Sequence, residues 1–104
     1  MAMAKQPVIY SAVILERGEN WNTELARREQ KQWDEHARFM DALVAEGFVI
    51  LGGPLGDGEN VLLILNAESR QAIETRLADD PWMPMGILRI AKVERWEILL
   101  DVNQ

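Results

Sequence analysis

Two periodicities alternate along the chain. Val8 to Leu15 (Val-Ile-Tyr-Ser-Ala-Val-Ile-Leu) is short, β-branched and apolar, which predicts a strand. The polar stretch Glu16 to Asn22, interrupted by Gly18, predicts a loop. Asn22 or Thr23 can cap a helix by accepting a backbone N–H, and Glu24 suits its first turn. Leu25, Trp33, His36, Met40, Leu43 and Val44 then recur at helical spacing, with Arg28, Lys31, Glu35, Arg38 and Asp41 largely opposite, until Gly47 provides a stop. Phe48 to Leu51 predicts a second strand running into Gly52-Gly53-Pro54. The turn-rich segment Gly56 to Asn60 joins it to a third strand, Val61 to Leu65, as a hairpin. Ser69 is placed to cap a shorter helix with Ala72, Ile73 and Leu77 on its inner face. Pro81 disfavours helical geometry at Asp80, so this helix should end near Asp79. Leu88 to Leu100 completes the pattern as a long strand.

The order β-α-β-β-α-β predicts an α+β, ferredoxin-like protomer: an antiparallel four-stranded sheet with two helices on one face. A sheet covered on one face alternates apolar with polar residues, yet Val8 to Leu15 and Val61 to Leu65 are apolar almost throughout. Two helices cannot cover both faces. The pattern therefore predicts a homodimer in which a second copy covers the other face.

With 104 residues the chain forms one domain, residues 1–104, with 1–6 expected as a flexible N-terminus. A hydrophobic share of 48% and a charged share of 27% are globular values. The formal net charge of -6 disfavours nucleic acid and anionic membranes as partners. The basic cluster Arg27-Arg28-Glu29-Gln30-Lys31, interleaved with acidic and amide side chains, fits a solvated helix face. The absence of cysteine excludes disulfides and thiol catalysis, and no apolar stretch reaches the roughly 20 residues of a membrane span. A cytoplasmic domain is expected.

Candidate chemistry is sparse. His36 is the single histidine, on the apolar side of the long helical pattern, and its imidazole has the protonation range that neutral-pH proton transfer favours. Asp80 places a carboxylate before Pro81-Trp82. Either residue has an ordinary role as well, His36 as a hydrogen-bonded core residue and Asp80 as a turn former. Gly52-Gly53-Pro54 lets a ligand approach the backbone or simply ends a strand. Trp33 and Trp82, flanking His36 and Asp80 in sequence, are candidate walls for a flat ligand. One histidine and no cysteine make metal binding and a metal cofactor unexpected.

Trp33-Asp34-Glu35-His36-Ala37-Arg38-Phe39-Met40, Gly47 through Gly52-Gly53-Pro54, and Asp80-Pro81-Trp82, in this order and spacing, resemble the YCII-related family. Arg17-Gly18 with Trp21 and the closing Trp96-Glu97-Ile98 fit it too. The resemblance implies a dimeric α+β barrel and a pocket where His36 and Asp80 form the family's proposed catalytic pair. One branch is associated with dehydrochlorination of a chlorinated hydroxyquinol. Trp82 stands where many relatives are expected to carry Phe, which alters pocket shape. The resulting expectation is a cofactor-independent lyase or isomerase that moves a proton on a small substrate, flat aromatic compounds included. The competing expectation is a non-catalytic dimeric module that binds a small ligand or a protein.

Overall fold

A computed structural model describes residues 7–103 of the protein; the expectation for 1–6 lies outside these. Four strands and two helices follow the expected order: β1 (Val8–Arg17), α1 (Trp33–Ala45), β2 (Val49–Leu55), β3 (Asn60–Leu65), α2 (Arg70–Leu77) and β4 (Leu88–Ile98), with a 3-10 turn at Arg27–Glu29. The sheet order is β2-β3-β1-β4 and every pairing is antiparallel. This is the ferredoxin-like arrangement. No helix among the described residues is long and apolar enough to cross a membrane.

Alternation along the strands divides the sheet into two faces. Val13 and Leu15 of β1, Leu63 and Leu65 of β3, and Val49 of β2 point to the helices, where Leu43, Ile73, Leu77 and Trp82 complete the core. The opposite face is also largely apolar on β1, β2 and β3, with Lys92 and Glu94 of β4 beside Ile14 and Ala12. Ala12 pairs with Ile64, Ile14 with Leu62, and Tyr10 with Trp96, while Leu51 opposite Ile64 is 67% exposed. Two register shifts bend the sheet, one beside Ile14 in the β1–β4 pair and one between Val49 and Leu51 in β2.

The long helix begins later than its periodicity predicts. Residues Asn22 to Gln32 form a loop, and Leu25 is partly exposed rather than on a buried helix face. Buried Gln30 organises this loop: its Oε1 accepts the Asn22 N–H, and its Nε2 donates to the carbonyls of Asn22 and Leu25. Asn22 folds its own carboxamide back onto the Glu24 N–H. These bonds replace helical ones, as short polar side chains allow. Gln32 then turns left-handed, with φ of 56°, so that α1 starts at Trp33. The second helix follows expectation, with the Ser69 Oγ accepting the Ala72 N–H at 3.0 Å.

The 22–32 loop is moored through its leading end. Gly18 donates to the Ile87 carbonyl at 2.8 Å and Asn20 to Gly86 at 2.9 Å. A methyl group on Gly18 would collide with the Gly86 carbonyl, whereas one on Gly53 meets nothing within 4 Å. Gly18→Ala is therefore expected to cost about 1–3 kcal/mol of stability. Gly53→Ala should change it by no more than about 0.5 kcal/mol. Urea unfolding of the two variants measures the difference.

Candidate active site

Asp80 is reached through the end of α2. Its N–H still donates to the Leu77 carbonyl at 3.0 Å, and Pro81 then carries the chain away from the helix. The carboxylate is completely buried. Such a group is costly unless donors satisfy it. Two do: Oδ1 accepts the Trp82 N–H at 3.0 Å, and Oδ2 lies 2.8 Å from the Nδ1 of His36. The partner side chain comes from the first turn of α1, 44 residues away in sequence.

The imidazole is held on three sides. Asp80 holds one edge, the Trp82 indole stacks on its face with centroids 3.8 Å apart and planes 4° apart, and Trp33 leans over it at 5.6 Å. Trp82 is itself pinned, its Nε1–H donating to the Lys31 carbonyl at 2.6 Å and its ring meeting Trp21 edge-on. An ionised Asp80 can only accept, which assigns the proton of a neutral His36 to Nδ1 and leaves the Nε2 lone pair free. Among the described residues Nε2 has no hydrogen-bond partner, and it retains solvent access. Such an arrangement fixes the ring and leaves Nε2 able to accept a proton.

His36 opens onto a cavity of about 280 Å³ at one end of the sheet. The C-terminal ends of β1 and β2 and the N-terminal ends of β3 and β4 form its floor, and α1 its roof. Trp33, Gly52, Gly53 and Pro54, singled out from sequence, line it. Gly52 faces the helices from the position opposite Leu63, where a side chain would meet the Leu63 methyl. Asp80 and Trp82 do not line the cavity. Trp82, expected as a ligand wall, is fully buried behind the imidazole instead. Sequence periodicity missed Arg27, which also borders the cavity, because it extended the helix through a segment that is a loop. The apolar remainder includes Leu15, Met40, Val49 and Leu63. Among the described residues no three His, Cys, Asp or Glu side chains gather as a metal site requires.

Asp80→Asn should exchange the tautomer. The Asn amide can still accept the Trp82 N–H while donating to Nδ1, which moves the ring proton to Nε2. Imidazole ¹⁵N spectra of the neutral ring should show a protonated Nδ1 in the wild type and a protonated Nε2 in the variant. An unchanged pattern would refute the assignment.

Comparison with known proteins agrees with this architecture. Among solved structures, the chain is similar to 5-chloro-2-hydroxyhydroquinone dehydrochlorinase (TftG) from Burkholderia phenoliruptrix AC1100 in complex with 2,5-dihydroxybenzoquinone. The two share 20% sequence identity and a TM-score of 0.58, over 89% of this chain and 97% of that one. At such identity the likeness concerns the fold. No curated protein sequence matches. The sequence profile of the YCII-related domain matches residues 12–97, a span that includes both helices, His36 and Asp80, and the protein belongs to the YCII-related domain family.

Proposed function

We propose that the protein is a small cofactor-independent acid/base enzyme, a lyase or isomerase, with His36 as its proton acceptor and Asp80 as the residue that orients it. The observation that carries this is the 2.8 Å His36–Asp80 contact on the sealed side of a ring whose other nitrogen has no partner among the described residues. Nε2 takes a proton from a C–H or O–H of the substrate. The electron pair released forms a new double bond, and in an elimination a leaving group on the neighbouring atom departs with its own pair. The resulting imidazolium is stabilised by the Asp80 carboxylate and by the face of Trp82. In an elimination a later proton loss to solvent restores the base; in an isomerisation the imidazolium returns the proton to another atom of the substrate.

The cavity sets the substrate size. An apolar cavity of about 150 Å³ suffices for benzene, so about 280 Å³ suits one substituted ring. Trp33 supplies a flat aromatic wall, and Gly52-Gly53-Pro54 brings backbone rather than side chains to the floor. The similarity to a dehydrochlorinase makes chlorinated hydroxyhydroquinones the first compounds to assay.

The active form is a homodimer closed through the outer face of the sheet. The apolar residues Tyr10, Ala12, Ile14, Leu51, Leu62, Ile64 and Trp96 on that face support this arrangement, because an uncovered patch of such residues favours association. The second copy presents the same surface and no net change in chemistry is needed for the match. Sedimentation of the wild type should give a dimer at low micromolar concentration. Ala12→Asp, which places a charge at the centre of the face, should shift it towards monomer; a wild-type monomer with native spectra would contradict the assembly.

His36→Asn separates catalysis from folding. Its amide can still donate to Asp80, so the buried carboxylate keeps both donors, but the variant has no equivalent of the Nε2 lone pair. Its kcat should fall by at least about 10²-fold, with the melting temperature little changed. A ring compound that binds wild type and variant equally, with product formed by neither, would favour a non-catalytic binding module.

A further inference from the structure

The chain carries a formal charge of -6, yet among the described residues four of its arginines lack acidic partners, two of them partly buried. Arg38, Arg70, Arg76 and Arg89 each pair with a glutamate, and Arg28 and Arg95 are exposed. Arg17 and Arg27 are partly buried, and among the described residues neither comes within 4 Å of a carboxylate. Both direct an Nη2 at the same acceptor, the Gly58 carbonyl, at 3.5 Å for Arg17 and 2.7 Å for Arg27. Both also lie over Trp21, with guanidinium carbons 4.6 Å and 5.3 Å from the ring centroid. Among the described residues the buried Arg17 Nε finds no hydrogen-bond partner.

This crowding is unfavourable to the isolated chain. Burial, followed by the neighbouring Arg17 charge, lowers the Arg27 pKa from its ordinary value. One carbonyl dipole and one indole face compensate two like charges only in part. Arg27 borders the His36 cavity, whose other surfaces are largely apolar, and among the described residues it is the one guanidinium or ammonium group that does so. The cavity's one acidic lining residue, Asp41, is exposed on α1. Its charge disfavours an anion at that edge.

We propose that Arg27, with Arg17 reinforcing its field, binds an anionic oxygen of the substrate and thereby selects acidic single-ring compounds, those bearing a phenolate, enolate or carboxylate, over neutral ones. This deepens the acid/base reading of the same cavity and rests on it. Arg27 anchors the acidic group by charge and hydrogen bonding, while Nε2 of His36 meets a proton elsewhere on the ring. The guanidinium also offsets negative charge that builds on the substrate when that proton leaves. Arg27 thus acts as a specificity residue, and Arg17 as a residue acting through it.

The test compares 2,5-dihydroxybenzoate with 2,5-dihydroxybenzamide, which share a ring and differ in charge. Binding is followed by tryptophan fluorescence and by the His36 ¹⁵N signals. Wild type should bind the acid at least about tenfold more tightly than the amide, a difference of about 1.4 kcal/mol. Arg27→Gln should remove that preference and Arg27→Lys should retain most of it. Raising sodium chloride from about 20 to about 500 mM should weaken the acid but not the amide, since screening acts on the charged ligand. The salt series needs no variant, so it decides even if Arg27→Gln folds poorly. Equal binding of acid and amide to wild type, or an equal loss of both in Arg27→Gln, overturns the anion assignment and leaves the His36 cavity standing. If neither compound moves the His36 signals at millimolar concentration, the anion assignment falls; turnover assays on His36→Asn still judge the catalytic reading separately.

Discussion

A buried carboxylate that must find donors organises this protein. Asp80 has no contact with water, and its two oxygens are met by the Trp82 N–H and by His36. Removing either donor would leave a buried acceptor unpaired, at a cost of about 1–3 kcal/mol or more for a charged group. The pair ties the first turn of α1 to the segment following α2. Trp82 adds a second tie through its indole bond to the Lys31 carbonyl, immediately before the left-handed Gln32 that starts the helix. The helix start, the orientation of the imidazole and the roof of the cavity thus depend on one polar contact and the indole stacked beside it.

The same contact separates a dry side of His36 from an accessible one. On the dry side lie Asp80 and Trp82; on the other lies a mostly apolar space under α1. A proton acceptor works best when its orientation is set before substrate arrives, because no reorganisation is then needed as charge moves. Here that orientation comes from buried groups, which a ligand does not displace. The floor of the space is sheet, contributed by all four strands. Arg27 and Trp33 are among the side chains that border this space beside the pinned imidazole.

The two sheet faces divide the remaining work. The helix-side face supplies the core and the cavity, whereas the outer face carries Ile64 and Ala12 at its centre and Leu51 and Trp96 more exposed. Alternation makes this possible without conflict, since consecutive residues of β1 serve opposite faces. The bulge beside Ile14 shifts the β4 register by one residue. Ile90 and Val93 consequently both pair on the helix side, opposite Leu15 and Val13, despite their odd spacing.

Local periodicity and turn chemistry were enough to place the element order, the Ser69 cap, the end of the second helix to within two residues (Asp79 expected, Leu77 found) and the two-sided apolar character of β1. The family motifs likewise pointed to His36 and Asp80, since both lie in short recognisable runs. The start of α1 was not legible in the same way. Leu25 and Trp33 fit a single helical stripe, but the Gln30 side chain captures the backbone groups that such a helix would use, and only the folded loop reveals that competition. The roles of Trp82 and Arg27 were also decided by tertiary structure. Trp82 stands two residues from Asp80, a spacing equally compatible with a wall in front of the ring and a support behind it. Arg27 belongs to the site because the loop brings it beside Arg17, Trp21 and the Gly58 carbonyl. Sequence patterns encode which face of an element seeks burial, because that preference repeats along the chain. Which side chains then meet depends on contacts between distant segments, and these have no period to read.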